Sequence, residues 1–304
     1  MPVTTLPRSD PPRSDHVHVG GRRLHVASWG DPADPPVLLL HGMRDHARSW
    51  DWVAGALEDR YHVIAPDLRG HGDSDRVDAS GYTLAAFVLD LADVVAALEI
   101  ARFALVGHSL GGAIGLRYAA ALPEKVRAFC GIECIELPIV RDQGADPKSY
   151  PARLRAWTEL ERERRLRKPR TYATPEEAME RMRKGQPMLD MATIRHLTLH
   201  ALTRDPQGGW RWKYDNAARF RAPDDASGHD LDQVLDQISC PTLLCYGEAS
   251  WIPLPSVARL GRIADHRVRM FPGAGHWLHH EARDAFVTAL SSFLSIPTES
   301  PVHA

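Results

Sequence analysis

The sequence predicts an α/β protein: a mostly parallel sheet with helices on both faces, interrupted by a helical insertion. Two observations carry this. Up to residue 136, short apolar runs of strand length alternate with helix-like segments, an order that implies parallel strands joined by crossover helices. From 137 to 234 the pattern changes to charged helical stretches broken at Pro151, Pro169, Pro175, Gly185 and Pro187, and then the strand pattern resumes. The expected organisation is therefore a leader over 1–15, an α/β core over 16–136 and 235–304, and a helical cap over 137–234.

Each element has its local reason. Residues 1–15 are rich in Pro, Ser, Asp and Arg and read as a disordered leader without the apolar core of a secretion signal. Residues 17–28 read as a hairpin about Gly20 and Gly21. The run 36–40 is a fully buried strand stopped at His41 and Gly42. A helix is expected over 49–57 and a strand over 61–65, stopped by Pro66. The clearest helix covers 84–99, with apolar residues at the 3.6 period and Thr83 as its N-cap. Strand 103–106, a turn at 107–111, helix 112–121 and strand 126–132 follow. After the cap come strands over 241–246 and 267–271 and a terminal helix over 281–294.

Composition narrows the function classes. The 304 residues carry a net charge of -2, against a nucleic-acid partner, which calls for a basic excess. No apolar run reaches the roughly 20 residues of a membrane helix, so no membrane role is expected. The four cysteines (Cys130, Cys134, Cys240 and Cys245) form no CxxC pair, and no His/Cys spacing matches a zinc site. They read as buried thiols of a cytoplasmic protein, with one or two disulfides as the alternative. Neither cofactor nor metal is expected.

Gly107-His108-Ser109-Leu110-Gly111 is a GxSxG motif between a strand and a helix, the context that gives the motif meaning. A sharp strand-to-helix turn lifts the Ser109 hydroxyl clear of the backbone, and the helix N-terminus beside it favours negative charge. Ser109 is the candidate nucleophile; a plain glycine-rich turn is the alternative. Its neighbour His108 reads as a pocket or packing residue. An oxyanion needs two backbone N–H donors: Leu110 is the first candidate and Met43, after His41-Gly42, the second. His276, in the glycine-rich loop 271–277, is the candidate base; His279 and His280 read as surface residues.

Taken with Asp67-Leu68-Arg69-Gly70-His71-Gly72-Asp73-Ser74, these pieces resemble the α/β-hydrolase superfamily over nearly the whole chain. The resemblance implies a core sheet of about eight strands with a helical cap, and a serine–acid–histidine triad. Asp67 resembles a structural aspartate of that superfamily. Many relatives carry the triad acid in a Gly-x-x-Asp segment after the strand over 241–246; here the segment is Gly247-Glu248-Ala249-Ser250, and a serine cannot steady an imidazolium as a carboxylate does. The segment ending at Glu133 is similar to haloalkane dehalogenases and lactonases whose acid closes the preceding strand. Glu133 is therefore the expected acid, with Glu136 and Glu248 as alternatives, and Ser250→Ala is expected to leave turnover intact.

His41, His108, Trp157, Trp251 and Trp277 are candidate pocket residues, and with Trp210, Trp212 and Tyr214 they lean toward an apolar or aromatic acyl group. The arginine-rich stretch 161–170 reads as a solvated helix face, an anion site being the alternative. The expected activity is hydrolysis of a small-molecule carboxylic ester or lactone through an acyl-enzyme, by a monomer or homodimer. Carbon–carbon bond hydrolysis or acyl transfer on the same triad is one alternative; a non-catalytic ligand-binding homologue is the other. Ser109 argues against dehalogenase and epoxide hydrolase chemistry, which needs a carboxylate nucleophile.

Overall fold

In the computed structural model, residues 11–137, 149–166, 169–219 and 228–295 are described. An eight-stranded sheet runs in the order β1-β2-β4-β3-β5-β6-β9-β10. Its strands are β1 (Arg13–Val19), β2 (Arg22–Trp29), β3 (Pro36–Leu40), β4 (His62–Pro66), β5 (Phe103–His108), β6 (Val126–Ile132), β9 (Thr242–Gly247) and β10 (His266–Phe271). The β1–β2 hairpin and the β2–β4 pairing are antiparallel, and every pairing from β4 to β10 is parallel. The leader expectation is corrected at its end: Arg13, Ser14 and Asp15 already pair with β2. Residues 1–10 lie outside the described part.

Strand periodicity explains the two apolar layers. Side chains alternate across a sheet, so Leu38 and Leu40 of β3 enter one core with Phe103 and Leu105 of β5. Val37 and Leu39 enter the other with Ala104 and Val106. The first layer is covered by α2 (Leu84–Ala97) and α3 (Leu110–Ala121), through Phe87, Leu91, Val94, Ile114 and Leu116. The second is covered by α1 (Asp51–Leu57) and the C-terminal helix Arg283–Leu294, through Val53, Leu57, Phe286 and Leu290. Thr83 caps α2 as expected, accepting from the Ala86 N–H.

The described cap holds helices Tyr150–Leu166, Pro175–Gly185 and Met191–Ala201. It also holds a short antiparallel hairpin, β7 (Leu202–Arg204) with β8 (Trp210–Trp212), where no strand was expected. Trp210 and Trp212 pack with Tyr172 and Leu202, and the Trp212 indole N–H donates to the Tyr172 hydroxyl at 3.0 Å. These rings help build the cap. Helix Gly228–Asp236 spans the expected cap–core boundary and sends Leu231 and Leu235 into the first core. In the arginine-rich stretch, Arg162 is exposed, but Arg164 forks onto a buried Glu161 one turn earlier and approaches Asp215, so part of this face packs inward.

Candidate active site

Three turns at the carboxyl ends of parallel strands meet here, where ligands of open α/β sheets bind. Ser109 follows β5 with φ 51° and ψ -113°, a conformation side chains resist, and its carbonyl accepts the first helical N–H, from Ala113. The flanking glycines allow it. A Cβ on Gly107 would lie 2.6 Å from backbone atoms of Gly111, and one on Gly111 would lie 2.3 Å from the Leu40 carbonyl oxygen. Ser109 stays partly exposed while Leu110 is buried. The loop after β3 comes alongside: a Cβ on Gly42 would lie 3.5 Å from that of Ser109. Met43 follows, half-buried against the first core.

Glu133 follows β6, fully buried, with φ 47°. Its carboxylate accepts from three donors. The His276 Nδ1–H reaches Oε2 at 2.6 Å, the Ser250 hydroxyl reaches the same oxygen at 2.6 Å, and the Gly247 N–H reaches Oε1 at 2.8 Å. With Nδ1 donating, Nε2 of His276 is left as the acceptor nitrogen. The loop carrying His276 is tied at two further points. The His108 Nε2–H donates to the His276 carbonyl at 2.9 Å, and the Gly275 N–H donates to the Glu281 carboxylate.

The sequence expectations divide accordingly. Glu133 and His276 meet directly, and Ser109 stands next to His108, whose ring is bonded to the His276 carbonyl. Glu136 stands apart: its carboxylate pairs with Arg259 at 2.7 Å, which corrects it as an alternative acid, and Glu248 is exposed. His41 is also corrected. It is fully buried, its Nδ1–H donates to the Gly42 carbonyl at 2.7 Å, and its Nε2 accepts the Leu68 N–H at 3.0 Å. Both nitrogens are spent on backbone, and burial lowers its pKa to about 4. The ring is a brace for the loop before Met43.

Trp251 lies with its ring 5.0 Å from that of His276 and is 64% exposed, at the rim of the site. Trp277 meets His108 edge-on at 6.2 Å and packs against the cap cluster of Met179, Leu189, Ile194 and Leu197, joining site to cap. Trp157 is half-buried on helix Tyr150–Leu166 of the cap. Asp67 is structural, as the resemblance implied. Its side chain accepts from the Ala47 N–H at 2.6 Å, the Asp73 N–H at 2.9 Å and His25 at 2.7 Å, and these donors hold its pKa far down despite burial. All four cysteines are free and buried.

The sequence reading missed three features. Ser250 donates into the acid instead of merely failing to replace it. His108 clamps the histidine loop. His279 and His280, expected at the surface, are 1% and 6% exposed. The one signal for these was the run of histidines itself.

Such a site on such a sheet defines a class, and the comparison with known families agrees. The Alpha/beta hydrolase family model matches residues 37–289, and the chain belongs to that family. It is 28% identical over 287 residues to the 2-hydroxy-6-oxo-2,4-heptadienoate hydrolase of Pseudomonas putida, covering 92% of this chain and 95% of that protein. An uncharacterized protein of Mycobacterium tuberculosis is 40% identical over 110 residues, 36% of this chain, and the match spans only 31% of its length. Among solved structures, the thioesterase domain from the curacin biosynthetic pathway superposes with a TM-score of 0.79 at 26% identity, covering 94% of this chain and all of that domain. Among its described residues no helix is long and apolar enough to cross a membrane.

Proposed function

We propose that this protein hydrolyses a carboxylic ester or lactone through an acyl-enzyme on Ser109, with His276 as base and Glu133 as the triad acid. The observation that carries the reading is the 2.6 Å contact of His276 Nδ1 with a buried Glu133, on the loop beside a serine held in a strained elbow. Ser109 Oγ attacks the carbonyl carbon while His276 Nε2 takes its proton. The oxyanion is met by the Met43 and Leu110 N–H groups. Collapse expels the alkoxide, which receives that proton, and water repeats the cycle to free the acid. Trp251 and Trp277 favour an apolar or aromatic acyl part. Similarity to a thioesterase domain supports acyl chemistry.

Full-length similarity to the heptadienoate hydrolase favours one second reading, cleavage of a carbon–carbon bond beside a ketone on the same triad. A panel of p-nitrophenyl esters, lactones and a vinylogous diketone acid separates the two by relative kcat/KM. Labelling with a fluorophosphonate probe tests the nucleophile itself: wild type should label and Ser109→Ala should not. An unlabelled, folded wild type would leave a ligand-binding homologue instead.

A further inference from the structure

Behind the His276 loop, the structure buries a carboxyl group that pairs with no cation among the described residues. Asp45, 4% exposed, follows Met43 by two residues and faces His279 and His280. One Asp45 oxygen accepts the His46 N–H at 2.9 Å. The other oxygen has the Ser49 hydroxyl beside it but no well-formed hydrogen bond, and both ring nitrogens of His279 and Nε2 of His280 have no hydrogen-bond partner among the described residues. One carboxylate oxygen and one nitrogen of each ring lie within 4.8 Å of one another. Buried polar atoms of a carboxyl group and of imidazole rings are each costly when unpaired. The nearby cation, Arg283, is directed elsewhere: its guanidinium lies 4.1 Å over the Trp52 ring and donates to Thr193 at 2.9 Å.

We infer that Asp45, His279 and His280 form a binding site for a divalent transition-metal ion of the zinc type. Two imidazoles and one carboxylate are the donor set that zinc accepts and that magnesium and calcium, which take oxygen ligands, do not. Bond lengths of about 2.0–2.2 Å require the three donor atoms to draw together by roughly an ångström. The ion would tie the loop after β3, which carries Gly42 and Met43, to the turn that carries His276. Its role is structural, and the site stands independently of the reaction assigned to Ser109.

The test uses the full-length chain, stripped with EDTA, incubated with Zn2+ and desalted. About one equivalent of zinc should stay bound and the melting temperature should rise by several degrees. Asp45→Asn and His280→Gln should each weaken retention at least about tenfold, whereas the His196→Gln/His200→Gln pair, in a neighbouring cluster with Asp51, should not. X-ray absorption at the zinc edge of the wild type needs no variant and should find two imidazoles in the ligand shell. No retained zinc, an all-oxygen shell, equal retention in Asp45→Asn and His280→Gln, or loss only in the His196/His200 variant would overturn the assignment.

Discussion

At the scale of single residues, the acid is the distinctive feature. Glu133 takes three hydrogen bonds, and two of its donors, Gly247 and Ser250, come from the segment where the family resemblance would place a triad aspartate. Glu133→Gln should lower kcat on an activated ester by about 10³–10⁴-fold, the loss typical when a triad acid becomes an amide. Glu136→Gln, which leaves Arg259 still paired with Asp232 at 3.0 Å, should stay within about twofold; the reverse ranking would move the acid. Ser250 is revised by the same geometry. An O–H donor to a carboxylate is worth about 1.5–3 kcal/mol, so Ser250→Ala should cost roughly tenfold in kcat with KM little changed. Unaltered turnover would restore the reading of Ser250 as a bystander.

At the scale of elements, glycines separate what is fixed from what is free. Gly111 begins α3 against the end of β3, and any side chain there meets the Leu40 carbonyl oxygen at 2.3 Å. Backbone cannot yield as a side chain tip can, so Gly111→Ala should destabilise the protein by about 3 kcal/mol or more. Gly55 lies mid-helix in α1 with nothing within 4 Å of an added Cβ. Gly55→Ala should therefore add about 0.5–1 kcal/mol through helix propensity. Thermal melts of the two variants should move in opposite directions; a shift of the same sign in both would contradict this packing. Sheet strands and covering helices were legible because apolar runs of strand length and one clean 3.6-residue period identify them. The β7–β8 hairpin was not: three-residue strands carrying Trp and Arg show no usable alternation.

For the whole molecule, buried histidines set the response to acid. His41 and His71 are fully buried, and desolvation lowers their pKa values to about 4 and about 3 from the usual 6.5. Below pH 6.5 the unfolded chain binds protons that the folded chain refuses. Stability is therefore complete above pH 6.5 and falls as pH drops toward 4, by on the order of 3 kcal/mol for each ring. Urea-unfolding midpoints at pH 7.5 and 5 should differ strongly; equal midpoints would mean these rings are not held neutral.

The sequence by itself determined the sheet-and-helix order, the elbow at Ser109, the late histidine and the family, because local motifs and periodic apolar patterns specify backbone shape over short spans. It also pointed to Glu133 through a strand end. Only the tertiary structure decided that Glu136 turns to Arg259, that His41 braces backbone, and that Ser250 serves the acid. The same holds for the Asp45, His279 and His280 cluster, in which Asp45 lies far along the chain from the short helix Leu278–Glu281 that carries both histidines. Which side chains meet across such distances depends on how strands register and helices pack, and no spacing along one sequence encodes it.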